Sequence, residues 1–439
     1  MKSYLIRFLK ESKKNLRSRI KFILFFLSLN TYGQIKLSDL INKAISANNV
    51  EENYQLNTEK SLYEAKINNN LLPSLSLDVS EQENLGRSFD QISGLMNPRD
   101  SWYNTSNLNL RLQYKASKLF FLKSNNTILE ETLSLNKTLS LDIKQKIALE
   151  IIESFYSALL YKALIDNSNN YKEYFSLLKS NNKKLFDLNK IDKIDLLRSE
   201  KELINLNQDI ALFSERYNTQ MKKLEYLTLS NDLKGKILEE NQEVEYNEII
   251  YDNSINNLPE VELNNQLNKL DSLNFKKKVS ERLFSIDIFS SLGTYYSSKM
   301  NSNYNFFDQL DLNTFFSIGV KVSIPIYNIE DKNQIKTLKV KNIITKNERI
   351  LENTKLKKYY SNLIENYNNS LVTFEQLEAK RSILNEIYEL NKVKYNYDKI
   401  TILNLLQSYI ELRFVDEEWL NLKYTIAKNR FILNFVLNK

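Results

Sequence analysis

Between Phe316 and Tyr327 apolar and polar residues alternate. Phe316, Ile318, Val320, Val322, Ile324 and Ile326 fall on one side, and Ser317, Gly319, Lys321, Ser323 and Pro325 on the other. A period of two predicts a strand with one greasy and one wet face. About ten such residues make a tilted membrane-crossing strand. Three other segments alternate in the same way. Ser74–Ser80 sets Leu75, Leu77 and Val79 against Ser74, Ser76, Asp78 and Ser80. Asn107–Tyr114 sets Leu108, Leu110, Leu112 and Tyr114 against Asn107, Asn109, Arg111 and Gln113. Ser285–Thr294 puts Ile286, Ile288 and Leu292 on one face. The first two predict a hairpin whose tip is a long loop, Glu81–Thr105.

The remaining pattern is helical. From Pro98 to Gly235 there is neither Gly nor Pro, and Ile143, Ile147, Ile151 and Phe155 recur at helical spacing. A helix of about 65 residues is roughly 100 Å long, a strut rather than a globular core. Short helices are expected over Gln34–Ala47 and Val50–Leu72, the latter ended by Pro73, and over Leu258–Phe284, opened by Pro259. Long helices are expected over 118–188, 192–227, 328–395 and 400–437, with strands at 74–80, 107–114, 285–294 and 316–326.

The two halves share a pattern. Leu196, Leu203, Ile210, Tyr217 and Leu224 lie seven apart, with Ser199, Leu206, Phe213, Gln220 and Leu227 three residues on. An offset of 209 leads to Leu405, Leu412, Trp419, Ile426 and Leu433, and to Ser408, Val415, Leu422, Asn429 and Val436. Apolar falls on apolar, and the polar breaks Ser199 and Gln220 fall on Ser408 and Asn429. Sustained heptads indicate coiled-coil packing, and coincident breaks indicate an internal repeat. The expected division is residues 34–227 as one repeat, 228–257 as an acidic connector and 258–439 as the second repeat.

Composition changes the picture in two places. Gly (6) and Pro (4) are scarce among 439 residues, which favours long helices. The net charge of +7 belongs to the first 33 residues, which hold eight of the 61 basic groups and one of the 54 acids, leaving 53 of each. A neutral body gives no nucleic-acid footprint. That basic segment runs into the apolar stretch Phe22–Leu29 and then Thr31-Tyr32-Gly33. This is the pattern of a secretory signal peptide, residues 1–33. An amphipathic cytosolic helix is the other reading. No later stretch nears 18 unbroken apolar residues, so no membrane-crossing helix is expected.

Catalytic chemistry is not indicated. With no His and no Cys, Ser-His-Asp and Cys-His catalysis, thiolate metal sites and disulfides are excluded. No Gly-rich phosphate loop is present. The pairs Glu239-Glu240 and Glu417-Glu418 sit on polar helical stretches and read as solvated surface. No enzyme activity, cofactor or metal is expected.

Four two-faced strands raise a geometric problem. In lipid, an open sheet edge leaves backbone groups unpaired at several kcal/mol each. Closed barrels have about eight strands or more, so one chain cannot close one. Strands of this kind in a membrane require several chains. The lipid face would be Leu75, Leu77, Val79, Leu108, Leu110, Leu112, Ile286, Ile288, Ile318, Val320, Val322 and Ile324. Asp78, Asn109, Arg111, Gln113, Asp287 and Lys321 would face water, and Trp102, Tyr103, Tyr295, Tyr296, Phe306, Phe307 and Phe315 would form aromatic girdles. A soluble sheet packed on helices fits the same alternation. That reading makes the chain a periplasmic coiled-coil adaptor or scaffold.

Five motifs carry a family resemblance: LLPSLSL at Leu71–Leu77, NNLPE at Asn256–Glu260, SIPIY at Ser323–Tyr327, and the turns NKIDKIDLL (Asn189–Leu197) and YDKITILNLL (Tyr397–Leu406). In their order and spacing the chain resembles the TolC family of outer-membrane efflux channels. The resemblance implies a mainly α fold. It implies a homotrimer whose protomers each give four strands to one barrel in the outer-membrane lipid, with helices forming a tunnel through the periplasm. It implies an exit duct for efflux or type I secretion in a Gram-negative bacterium. The tip would dock on a periplasmic adaptor, the membrane fusion protein, served by an inner-membrane pump. The tip turns would be Asn189–Asp192 and Tyr397–Ile400. Where the best-known member carries two gate acids, this chain has Asn404 and Gln407. The family's latch acid matches Asp195 and its tyrosine Tyr395, but its arginine falls on Ile400, so that ion pair is missing. The turns lack the usual glycine and carry Asn189 and Asp398. A solvated helix N-terminal acid is the alternative reading of Asp195.

Overall fold

The computed structural model describes residues 34–86, 89–90, 95–96, 101–230, 233, 237–238, 248–249, 258–299, 311, 313–326, 328–397 and 399–437. The expected signal segment, most of the connector, Phe306, Phe307 and Asp398 lie outside them. So do the side chains of Trp102 and Tyr103. In chain order the elements are β1 (Gln34–Ile35), α1 (Leu37–Ala47), α2 (Val50–Asn68), β2 (Ser74–Gly86), β3 (Phe89–Asp90), β4 (Leu95–Met96) and β5 (Ser101–Lys115). A 3₁₀ turn (Ala116–Phe121) leads into α3 (Leu122–Asp187) and α4 (Lys193–Leu227). Then come β6 (Ile237–Leu238), α5 (Pro259–Glu281), β7 (Ser285–Lys299), β8 (Phe315–Ser323), α6 (Ile329–Asn396) and α7 (Ile402–Leu437). The fold is mainly α with one four-stranded antiparallel sheet.

Two compact units divide these elements. One comprises residues 1–53, 140–261 and 354–439, the other 54–139 and 262–353. The first holds three apolar cores. Leu37, Leu40 and Ala44 of α1 pack with Ile151 and Phe155 of α3 and Leu224 of α4. Tyr360, Ile364 and Tyr367 of α6 pack with Ile426 and Leu433 of α7. Phe175, Leu206, Tyr388, Leu405 and Tyr409 form the third. The α7 seam is buried at Leu405, Leu412, Ile426 and Leu433, and its polar breaks Ser408 and Asn429 are buried with it. Ser199 and Ser408 avoid an unpaired hydroxyl in the same way. Each donates to the carbonyl three residues back, Leu196 at 2.7 Å and Leu405 at 2.9 Å. β1 and β6 pair in parallel, Gln34 with Ile237.

The second unit contains the sheet, in the order β2-β5-β7-β8. β2 and β5 run further than the alternation suggested, because Glu81–Gly86 pairs with Ser101–Ser106. The apolar alternation lapses there at Glu81 and Glu83, so backbone pairing continues where the sequence pattern stops. At the other end β8 stops at Ser323, with Ile324 and Pro325 beyond it. Pro325 has no N–H to offer a ladder. Asn328 then caps α6: its Oδ1 accepts the backbone N–H of Glu330 (2.9 Å) and its Nδ2 donates to Asp331 (2.7 Å).

Candidate functional site

Two features of the molecule are candidates for function, one in each unit. The first is the sheet. Leu75 lies opposite Leu112 and Leu77 opposite Leu110, while Leu110 lies opposite Leu292. Leu292 lies opposite Phe316, Ile288 opposite Val320 and Ile286 opposite Val322. These registers put the expected lipid-facing strand residues on one continuous face. Most of them are exposed; Leu75 and Ile318 are 65% and 72% accessible. The other face carries Asp78 beside Asn109, then Arg111, Gln113 and, facing each other, Asp287 and Lys321. The outer strands β2 and β8 each have one neighbour in the sheet, so two ladder edges are unpaired among the described residues.

The wet face holds two aromatic rings that alternation does not reveal. Phe289 lies opposite Gly319, and Gly293 opposite Phe315. A Cβ at 319 would stand 2.6 Å from the Phe289 ring, and one at 293 would stand 3.0 Å from the Phe315 ring. Each ring thus lies over a bare glycine across the ladder. Tyr295 and Phe315, expected in an aromatic girdle, sit on this polar face because their odd register aligns them with Gly293. Tyr296 is on the apolar face.

The second feature is the paired helical turn. Helix α3 ends with Asn189 at φ +54°, a conformation Asn tolerates better than most residues. The N–H of Lys190 donates to Leu185 O and that of Asn189 to Phe186 O, both at 2.8 Å. The second turn closes similarly, Lys399 N–H on Lys394 O at 2.9 Å. Asp195, in the first turn of α4, takes Arg198 of its own helix as partner at 3.2 Å. Tyr395 instead donates to Oδ1 of the fully buried Asn182 at 2.7 Å, joining α6 to α3. Asp195 and Tyr395 are therefore not brought together. Asn404 and Gln407 are exposed on α7, and Gln407 Nε2 donates to Glu411 at 3.3 Å.

Sequence reasoning missed the network behind these turns. Asp416, nearly fully buried, accepts from Tyr171 Oη and Arg381 Nε, each at 2.6 Å. Arg381 lies over Trp419 at 4.3 Å, and Trp419 stacks on Phe374. Arg413 binds Glu202 (3.2 Å), Glu417 (3.0 Å) and Asp209. Burial opposes its charge, but Tyr409, Glu417 and Asp209 hold its pKa above the usual value. Burial and then the Asp416 hydrogen bond push the Tyr171 hydroxyl well up, so it stays a donor. A signal did exist: Arg413 and Asp416 each follow a seam position, Leu412 and Val415, where flanking charges interlock in coiled coils. Among the described residues no group of His, Cys, Asp or Glu is arranged to hold a metal, and no helix is long and apolar enough to cross a membrane.

No protein-family model matches the chain, and no curated protein matches it. Solved structures do. The CmeC outer membrane channel of Campylobacter jejuni is 14% identical, covering 91% of this chain and 85% of that one, at a TM-score of 0.73. CusC, described for conformational changes accompanying folding and transmembrane channel formation, is 12% identical over 92% of both chains, at 0.73. The outer membrane protein VceC of Vibrio cholerae is 12% identical, covering 91% and 95%, at 0.72. The chain has the fold of these outer-membrane channel proteins across nearly its whole described length, the fold that the TolC-family resemblance implied.

Proposed function

We propose that this chain is an export channel of the outer membrane of a Gram-negative bacterium. Three copies share a barrel of their strands, and their helices form a duct reaching into the periplasm. One observation carries the reading: among the described residues of the sheet-bearing unit, every buried residue is polar. The buried ones are Ser61, Asn109, Asn125, Thr138, Asn264, Ser291 and Thr294. The unit leaves its apolar residues exposed or half-buried, where lipid and neighbouring copies would cover them. The two unpaired sheet edges give the copies a means of joining. A soluble adaptor leaves this surface without a reason.

In this reading the turns at Asn189–Asp192 and Tyr397–Ile400 dock on a periplasmic adaptor served by an inner-membrane pump. Asn404 and Gln407 ring the entrance without charge, and the Tyr395–Asn182 bond steadies α6 against α3. The chain catalyses nothing; it gives cargo a path. The test is fractionation followed by planar-bilayer recording. Protein in the outer-membrane fraction, trimers that survive in detergent until heated, and stepwise conductance are expected. A monomer soluble without detergent would sink the reading. Asn404→Asp with Gln407→Asp should raise cation over anion permeability; unchanged selectivity would remove these two residues from the entrance.

A further inference from the structure

Four junctions join the strands of the second unit to its helices. Each exposes an apolar side chain: Leu72 before β2, Phe120 after β5, Leu283 before β7 and Ile326 after β8, at 78%, 63%, 61% and 97% accessibility. Phe120 meets Phe284 edge-on at 5.5 Å, so two of the junctions form one patch. Basic residues outnumber acids across the four junctions taken together, and the excess lies at 115–123 and 276–283. Residues 64–72, 115–123, 276–283 and 324–336 hold ten Lys or Arg and four acids. Glu281 is taken by Lys277 at 3.6 Å, and Asp331 by Arg282 at 3.3 Å. Lys276, Lys278, Lys332 and Lys336 are exposed and make no ion pair among the described residues. Lys278 also lines a cleft of about 770 Å³ between the last turn of α5 and the first turns of α6. The far end of the greasy band differs: after Val79 the same face of β2 carries Glu81, held by Asn104 at 3.0 Å, and then Glu83.

An apolar edge followed within one or two turns by unpaired lysines places ammonium groups at headgroup depth while the greasy residues enter the acyl layer. Clustered lysines beside a bilayer read acidic headgroups. We propose that these junctions form a collar that binds the phosphates of acidic phospholipids, such as phosphatidylglycerol, in the leaflet on the helix side of the sheet. The proposal rests on the reading that the sheet crosses a membrane, and adds which lipid it selects there. Within the collar such a phosphate would sit in the cleft between Lys278 and Arg282, which Glu281 and Glu330 also line.

The experiment uses the full chain purified in detergent and exchanged into phosphatidylethanolamine bilayers with or without about 20% phosphatidylglycerol. Lipid retained by the released oligomer is counted by native mass spectrometry. Wild type should retain phosphatidylglycerol preferentially. The variant Lys276→Gln/Lys278→Gln/Lys332→Gln/Lys336→Gln should lose that preference about tenfold, with oligomer and conductance intact. Lys222→Gln/Lys223→Gln on α4, the control, should keep it. Equal retention by wild type and the fourfold variant would overturn the collar. So would an oligomer that falls apart in that variant, since the lysines would then serve contacts between copies. Wild type that never enters a bilayer would instead remove the channel reading, a separately visible failure.

Discussion

The two units bury opposite things. In the first, Phe155, Phe175, Leu206, Leu405 and Tyr409 sit inside, and the few buried charges are paired. In the second, helices touch through amides and ions: Asn125 with Asn69 at 2.9 Å, Asn264 with Asn353 at 2.8 Å, and Arg349 with Asp271 at 2.8 Å. Leu56, Tyr63, Val340 and Ile343 stay outside. Both units show helical periodicity, so their helices look alike in sequence. The difference is what completes them. The first unit largely finishes its core within one chain; the second presents apolar surface that only other molecules can cover.

The largest effect should come from breaking the finished core. Phe175→Ala removes a fully buried ring that packs on Tyr409 at 4.4 Å, at a cost of about 3–5 kcal/mol. Thermal unfolding should show it equally in detergent and in bilayers. Leu110→Arg should behave differently, destabilising by about 2–4 kcal/mol only where lipid covers the sheet. Unfolding compared between vesicles and a wholly aqueous setting checks this; an equal loss in both would place Leu110 in a protein core instead.

Asp416→Asn is the next step down. It leaves Tyr171 and Arg381 with a weaker acceptor, and about 1–3 kcal/mol should be lost, measured by denaturant midpoint. The smallest effect is alkaline. Tyr174 and Tyr360 are pushed up to about 12, by burial first and then by neighbouring Tyr395 and Glu389, and by Tyr359 and Glu260, respectively. The folded chain favours their protonated form. Their contribution is therefore whole below about pH 10 and fades as pH rises towards 12. Tyrosinate absorbance from these two, followed through Tyr→Phe differences, should rise only near pH 12. Ionisation at the ordinary value would contradict their burial.

Much of this was legible beforehand because a periodic pattern reports which residues share a face. The α7 seam and the apolar face of β2, β5, β7 and β8 followed from spacing alone. The far half of β2 did not, because Glu81–Gly86 carries no apolar alternation and only the ladder to Ser101–Ser106 defines it. The Tyr171–Asp416–Arg381 group was hidden for another reason: its members stand on α3, α7 and α6, and no local spacing links them. Asp195 matched a family latch by position, yet it faces Arg198 one turn on, a partner the motif does not encode. Spacing also could not separate a core from a surface awaiting cover, since Leu56 and Tyr63 repeat like any buried heptad pair.

The rings of Phe289 and Phe315 reach across the ladder over Gly319 and Gly293, which have no Cβ to stand in their way. A single methyl at 319 would tilt its ring away from the wall. In an assembly of identical copies that tilt would recur at every symmetry-related place at the same height. In the proposed channel the narrowing of the bore would thus multiply with the number of copies, and the smallest possible side chain would act as a diaphragm.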